Sequence, residues 1–142
     1  MQQYRRYFFK KNERLCLRKD IENVMCNGKK FLTYPFLVNY VIKDAQGSET
    51  TKIAISVAKR NFKKAVDRNL LKRRIREAYR KHKHNCPADT ACNTQKIINA
   101  IIIYVPKEKL SYGEIEKGII RALENLAKNI ENDSNISIHP AD

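Results

Sequence analysis

Tryptophan is absent, and the 142 residues hold only four glycines, four prolines and four cysteines. So little glycine and proline excludes collagen-like and low-complexity architectures. Cys16, Cys26, Cys86 and Cys92 form no CxxC pair. The opening MQQYRRYFFKKNERL carries charge at both ends but lacks the apolar centre of about 7–15 residues that a signal peptide needs. Reduced thiols in a cytoplasmic protein are therefore expected. The longest apolar run, Ala100–Val105, is far short of the roughly 20 residues of a membrane span, so no membrane partner is expected.

The signs of catalysis by side chains are also missing. There is no GxGxxG, no GKS/T loop and no HExxH. Asp20, Asp44, Asp67 and Asp89 fall on different elements rather than forming a paired set for metal-ion hydrolysis. His82, His84, Cys86 and Cys92 make an HxHxCx5C cluster. It lacks the tight paired spacing of zinc sites and runs off a helix end into a loop. No catalytic residue and no metal ligand is expected.

What the chain has is positive charge: 29 Lys and Arg against 15 Asp and Glu, a formal net charge of +14. With 42% hydrophobic and 31% charged residues it fits one globular domain with one core. Residues 1–12 read as a basic, aromatic-bearing extension, 13–130 as the domain, and 131–142 as a frayed tail.

The charge is concentrated. Lys59–Lys83 (KRNFKKAVDRNLLKRRIREAYRKHK) holds twelve of the 29 basic residues and two acids, Asp67 and Glu77. Ala65–Lys81 contains no Gly or Pro and is rich in helix formers. At about 100° per residue, Leu71, Ile75, Ala78 and Tyr79 form one apolar stripe. Arg68, Lys72, Arg76 and Arg80 form an i, i+4 row on its flank, with Asn69 and Arg73 beside it. Like charges at that spacing oppose an isolated helix by a few tenths of a kcal/mol per pair. Solvated faces usually mix signs, and this one hardly does. An outside polyanion is the expected partner, and guanidinium forks suit phosphate oxygens.

Around this helix the pattern is regular. Arg18–Asn27 reads as a short helix with Ile21, Val24 and Met25 on one side and Gly28 as its stop. Phe31–Ile42 is strand-like, with Phe36, Val38, Tyr40 and Ile42 alternating with Leu37, Asn39 and Val41; Pro35 ends a short first strand. A turn over 44–47 and a strand over Thr51–Val57 predict a hairpin. Residues 85–95 read as a loop. Ile97–Val105 is the most apolar strand and is expected at the centre of the sheet. Ser111 and Glu114 make a capping box. The helix behind it is expected to reach about Lys128, with Ile115, Ile119, Leu123 and Leu126 inward. The predicted fold is an α/β (α+β) two-layer sandwich, αβββαβα, with one mixed sheet.

Arg68-Asn69-Leu70-Leu71-Lys72-Arg73-Arg74-Ile75-Arg76-Glu77 resembles the RNxxKRxxRE/Q signature of the bacterial ribonuclease P protein component. Ile55-Ser56-Val57-Ala58-Lys59-Arg60 resembles the strand and basic turn before that helix. Lys19-Asp20-Ile21 to Gly28, and Ile101–Tyr104 with Leu110-Ser111-Tyr112, resemble its first helix and last strand–helix pair. The resemblance covers about residues 13 to 128. It implies a fold like ribosomal protein S5 domain 2, with a left-handed crossover carrying the signature helix. It implies the protein subunit of a ribonucleoprotein endonuclease that removes the 5′ leader of precursor tRNA, the hydrolysis being carried out by the RNA subunit with Mg²⁺ and no cofactor being held by the protein alone.

By the same resemblance the partners are the ribonuclease P RNA and precursor tRNA, with no protein partner implied. Arg68, Asn69, Lys72, Arg73 and Arg76, the basic turn Lys59 and Arg60, and Lys64, Arg74 and Arg80 would contact RNA. Ile21, Met25, Phe36, Asn39 and Ser56 would line a cleft for the leader. Leu70 departs from the family's usual Arg, and Arg74 would replace that contact. Ile21, Met25 and Asn39 stand where members often carry aromatics, so apolar contact replaces stacking. The residues alone leave a second class open: a basic RNA-binding or ribosome-associated module without a processing role.

Overall fold

The most apolar strand takes an interior place in the sheet. The protein is described here from a computed structural model covering residues 14–15, 18–44, 52–82 and 96–137. The elements are α1 (Arg18–Asn27), β1 (Lys29–Thr33), β2 (Phe36–Asp44), β3 (Lys52–Val57), α2 (Ala65–His82), β4 (Lys96–Tyr104) and α3 (Tyr112–Ser137). The strand order is β1-β2-β4-β3. β2 pairs antiparallel with β1 and β4, and β3 pairs parallel with β4. The sheet is mixed and the element order is αβββαβα, as the sequence predicts.

One pairing differs. β2 and β3 do not form the expected hairpin, because β4 lies between them. The reason is burial. Ile98, Ala100, Ile102 and Tyr104 are buried on one face of β4, and Ile101 is buried on the other. A strand apolar on both sides is best covered between two neighbours. The hairpin is instead β1–β2, turning at Tyr34–Pro35, whose peptide bond is cis.

Two cores follow from the period-2 alternation. On one face Phe36, Val38 and Tyr40 of β2, with Ile53 and Val57 of β3, meet Leu71, Ile75, Ala78 and Tyr79 of α2 and Ile115, Ile119, Ala122, Leu123 and Leu126 of α3. On the other, Val24 of α1 packs with Leu15 and Ile101, backed by Ile21, Val41, Ala54 and Ile103.

Local chemistry fixes the helix ends. Gly28 N donates to Val24 O at 2.9 Å, and a Cβ on Gly28 would stand 2.2 Å from that same oxygen, so the chain turns there on a glycine. The Ser111 amide donates to Glu114 Oε2 at 3.3 Å and the Glu114 amide to Ser111 Oγ at 3.4 Å, the reciprocal bonds of the capping box. α3 then continues through Ser137, past the expected end near Lys128. Residues 1–13, residues 45–51 with most of the turn expected over 44–47, and His84, Cys86 and Cys92 of the HxHxCx5C cluster lie outside the described residues.

Candidate nucleic-acid interface

α2 is mounted by the stripe read from its sequence. Leu71, Ile75 and Ala78 are fully buried and Tyr79 nearly so, which turns the remaining sides of the helix outward. Lys63 and Lys64 before it, and Asn69, Arg73, Arg76 and Lys81 on it, are exposed. The turn ahead of it is closed by Asn61 N and Phe62 N, both donating to Ala58 O at 3.2 Å, and it leaves Lys59 and Arg60 exposed.

The i, i+4 row divides into two kinds of cation. Arg68 Nη1 donates to Phe62 O at 2.8 Å and to Lys63 O at 3.0 Å, so it ties the helix to the turn before it. Arg80 is ion-paired with Glu77 and holds that carboxyl below the usual range, chiefly through the hydrogen bond between them. Arg74, expected to stand in for the signature arginine missing at Leu70, donates from Nη1 to Leu110 O at 2.8 Å. Asp67 takes Lys109 at 2.6 Å. Lys72, Arg73 and Arg76 have no acidic or carbonyl partner among the described residues, and the same holds for Lys59, Arg60, Lys63 and Lys64. These seven cations form an open positive surface. No acid among the described residues neutralises it, which is the condition for gripping phosphates.

The predicted cleft residues do not all meet. Ile21 and Met25 of α1 face the sheet surface that carries Asn39 and Ser56; Asn39 Nδ2 donates to Met25 Sδ at 3.3 Å. Phe36 does not belong with them. It lies on the opposite face, fully buried under α3 and edge-to-face with Tyr104 at 6.2 Å between ring centroids. Alternation separates Phe36 from Asn39 by an odd number of residues, and so by the thickness of the sheet. Asn39 shares the right face but is 1% exposed beneath α1, so it supports the cleft floor rather than offering a contact.

The register sets Ser56, expected in the cleft, beside three residues that sequence reading missed: Leu32, Leu37 and Ile103. Leu32 pairs with Leu37, Leu37 with Ile103, and Ile103 with Ser56. One row therefore crosses all four strands on the α1 face. Leu32 is 66% exposed and Ser56 is exposed, with Leu37 and Ile103 half-buried between them. The neighbouring row, Lys30, Asn39, Ile101 and Ala54, contains the buried Asn39 and Ile101. The outer row with Met25, 46% exposed, makes an apolar shelf that an unpaired base could cover. Only the pairing of distant strands assembles it, so no local motif could have revealed it.

The family model described as Ribonuclease P matches residues 9–127. A Ribonuclease P protein component from Porphyromonas gingivalis is 34% identical over 121 residues, covering 84% of this chain and 87% of its own. The structure of the RNase P protein from Thermotoga maritima superposes with a TM-score of 0.62 at 25% identity, over 80% of this chain and 96% of that one. The Staphylococcus aureus RNase P protein shares the fold at a TM-score of 0.57 and 24% identity, over 82% and 95% of the two chains.

Proposed function

Because this chain belongs to the ribonuclease P protein family, we propose that it docks on the catalytic RNA subunit of ribonuclease P through α2 and receives the 5′ leader of precursor tRNA on the α1 face of the sheet. The observation that carries this reading is the set Lys72, Arg73 and Arg76. They lack an internal partner among the described residues and stand on a helix anchored by four buried side chains. A stiff mount limits the side-chain and backbone ordering that binding would otherwise cost.

The chain contributes binding and orientation. Among the described residues no three His, Cys, Asp or Glu side chains come together as metal ligands, and Asp67 and Glu77 on the basic stretch are each engaged by a cation. These residues do not fit a metal seat, and the Mg²⁺ used in hydrolysis is assigned to the RNA subunit. Single-stranded leader lies across Leu32, Leu37, Ile103 and Ser56, a contact that mature tRNA cannot make. Discrimination between precursor and product then arises from the extra surface that the leader buries.

The test is cleavage of precursor tRNA at low Mg²⁺ by a bacterial ribonuclease P RNA, with and without the pure protein. A rise in cleavage on adding the protein, together with tighter binding of precursor than of mature tRNA, is expected. No rise, or equal affinity for both, would replace this reading with a general RNA-binding module.

A further inference from the structure

We propose that Val66 and Leu70, on the outward side of α2, form an apolar contact site for one unstacked nucleotide of the RNA subunit. The inference rests on the function proposed above and adds a contact of different chemistry to it. Val66 is 76% exposed, more than any other large apolar side chain among the described residues. Leu70 stands one turn further along and is half-buried.

Folding does not account for the pair. Neither side chain belongs to the core on either face of the sheet. At about 100° per residue, Val66 points almost directly away from the buried stripe Leu71, Ile75, Ala78 and Tyr79, and Leu70 lies beside it. Valine is also a weaker helix former than lysine or arginine, which the same helix carries at Lys72, Arg73 and Arg76.

Leu70 is held in place from both ends. Asp67 and Arg74 stand three residues before it and four after it, on one side of the helix. Asp67 takes Lys109 at 2.6 Å and Arg74 donates to Leu110 O at 2.8 Å, so both fasten α2 to the β4–α3 connection. Their charges are engaged there, and the spot between them stays apolar. A surface already fixed in this way requires little ordering on binding.

The surroundings identify the occupant. Lys63 and Lys64 precede Val66, and Arg73 follows Leu70 by three residues; all three are exposed, with no acidic partner among the described residues. A second copy of this chain would bring the same cations against them, out of a net charge of +14. An apolar protein surface would leave the three charges unanswered. RNA supplies both chemistries at once: phosphates for the cations and, where a base leaves the stack, an apolar face. Regular A-form helices keep their bases stacked inside, and only loops, bulges and ends splay them out. The site therefore selects an unpaired nucleotide beside the phosphates that Arg73 grips.

The test uses the full chain and the ribonuclease P RNA of the same organism. Val66→Thr/Leu70→Gln keeps the side chains close to their wild-type size and removes the apolar face. It should weaken RNA binding by about tenfold, within the range for covering one base, and leave the log K against log salt slope unchanged. Val66→Thr alone, at a side chain outside both cores, should show part of that loss at the wild-type unfolding midpoint. A benzophenone side chain introduced at Val66 should crosslink to one unpaired nucleotide, and an abasic residue there should weaken wild type but not the double variant. Unchanged affinity in the folded variants overturns the site alone. So does a loss that comes with a flattened slope, crosslinking within a duplex, or an equal abasic effect in both proteins. Self-association of the free wild-type protein that the double variant abolishes also overturns it, the patch then being a contact between copies. Failure of wild type to bind this RNA overturns both the site and the function it rests on.

Discussion

The guanidinium of Arg74 on α2 holds the carbonyl of Leu110, 36 residues further along the chain, at 2.8 Å. Arg73, its neighbour in sequence, is exposed with no partner among the described residues. Two adjacent arginines in one signature thus serve different ends, one fastening the β4–α3 connection and the other facing outward. Arg74→Ala should lower stability by about 1.5–3 kcal/mol, the range for a hydrogen bond to a charged group, in urea unfolding followed by circular dichroism. Arg73→Ala should leave that midpoint unchanged and weaken RNA binding. Equal loss of stability in both variants would contradict the division.

Gly118 sets how closely α3 approaches the β1–β2 turn. A Cβ there would lie 2.4 Å from Pro35 Cδ and 3.0 Å from Phe36 Cε2, and neither ring has a flexible end that can move aside. Gly118→Ala should therefore destabilise by about 1–3 kcal/mol, although alanine favours a helix interior by about 1 kcal/mol. Gly113→Ala is the control. Nothing stands within 4 Å of its added methyl, so it should stabilise by up to about 1 kcal/mol. Thermal unfolding of the two variants should move in opposite directions.

Burial first, and the Glu116 carboxylate second, push the Tyr112 phenol up to about 12. A tyrosine in the unfolded chain ionises near pH 10. The folded state therefore keeps this proton longer than the unfolded state does. The contribution is fully present below about pH 10 and is lost as pH rises toward 12. Between those values, wild type should lose stability with rising pH more steeply than Tyr112→Phe. Parallel stability curves for the two proteins would contradict this.

Most of the scaffold was legible because it rests on local periodicity. The stripe Leu71, Ile75, Ala78 and Tyr79 is the buried side of α2, and the Ser111–Glu114 capping box opens α3 as read. Pairing of distant strands was not legible. Alternation along β2 sorts Phe36 from Asn39 but does not say which set faces α1, so Phe36 was assigned to the wrong face. The β2–β3 hairpin failed for a related reason: turn chemistry at 44–47 says nothing about a later strand that inserts between the two. Charge was legible in amount but not in use. Arg68, Arg74 and Arg80 look like Arg73 and Arg76 in the sequence, and only their distances to Phe62 O, Leu110 O and Glu77 separate fasteners from open cations.

The most direct measurement is the salt dependence of binding to ribonuclease P RNA by wild type and by the Lys72→Ala/Arg73→Ala/Arg76→Ala triple variant. If these three cations lie on RNA phosphates, the triple variant should flatten the log K against log salt slope by about two to three, at roughly 0.7–0.9 per contact, while its unfolding midpoint stays at the wild-type value. An unchanged slope in a folded triple variant would mean that this side of α2 faces only water, and would contradict the account at its centre.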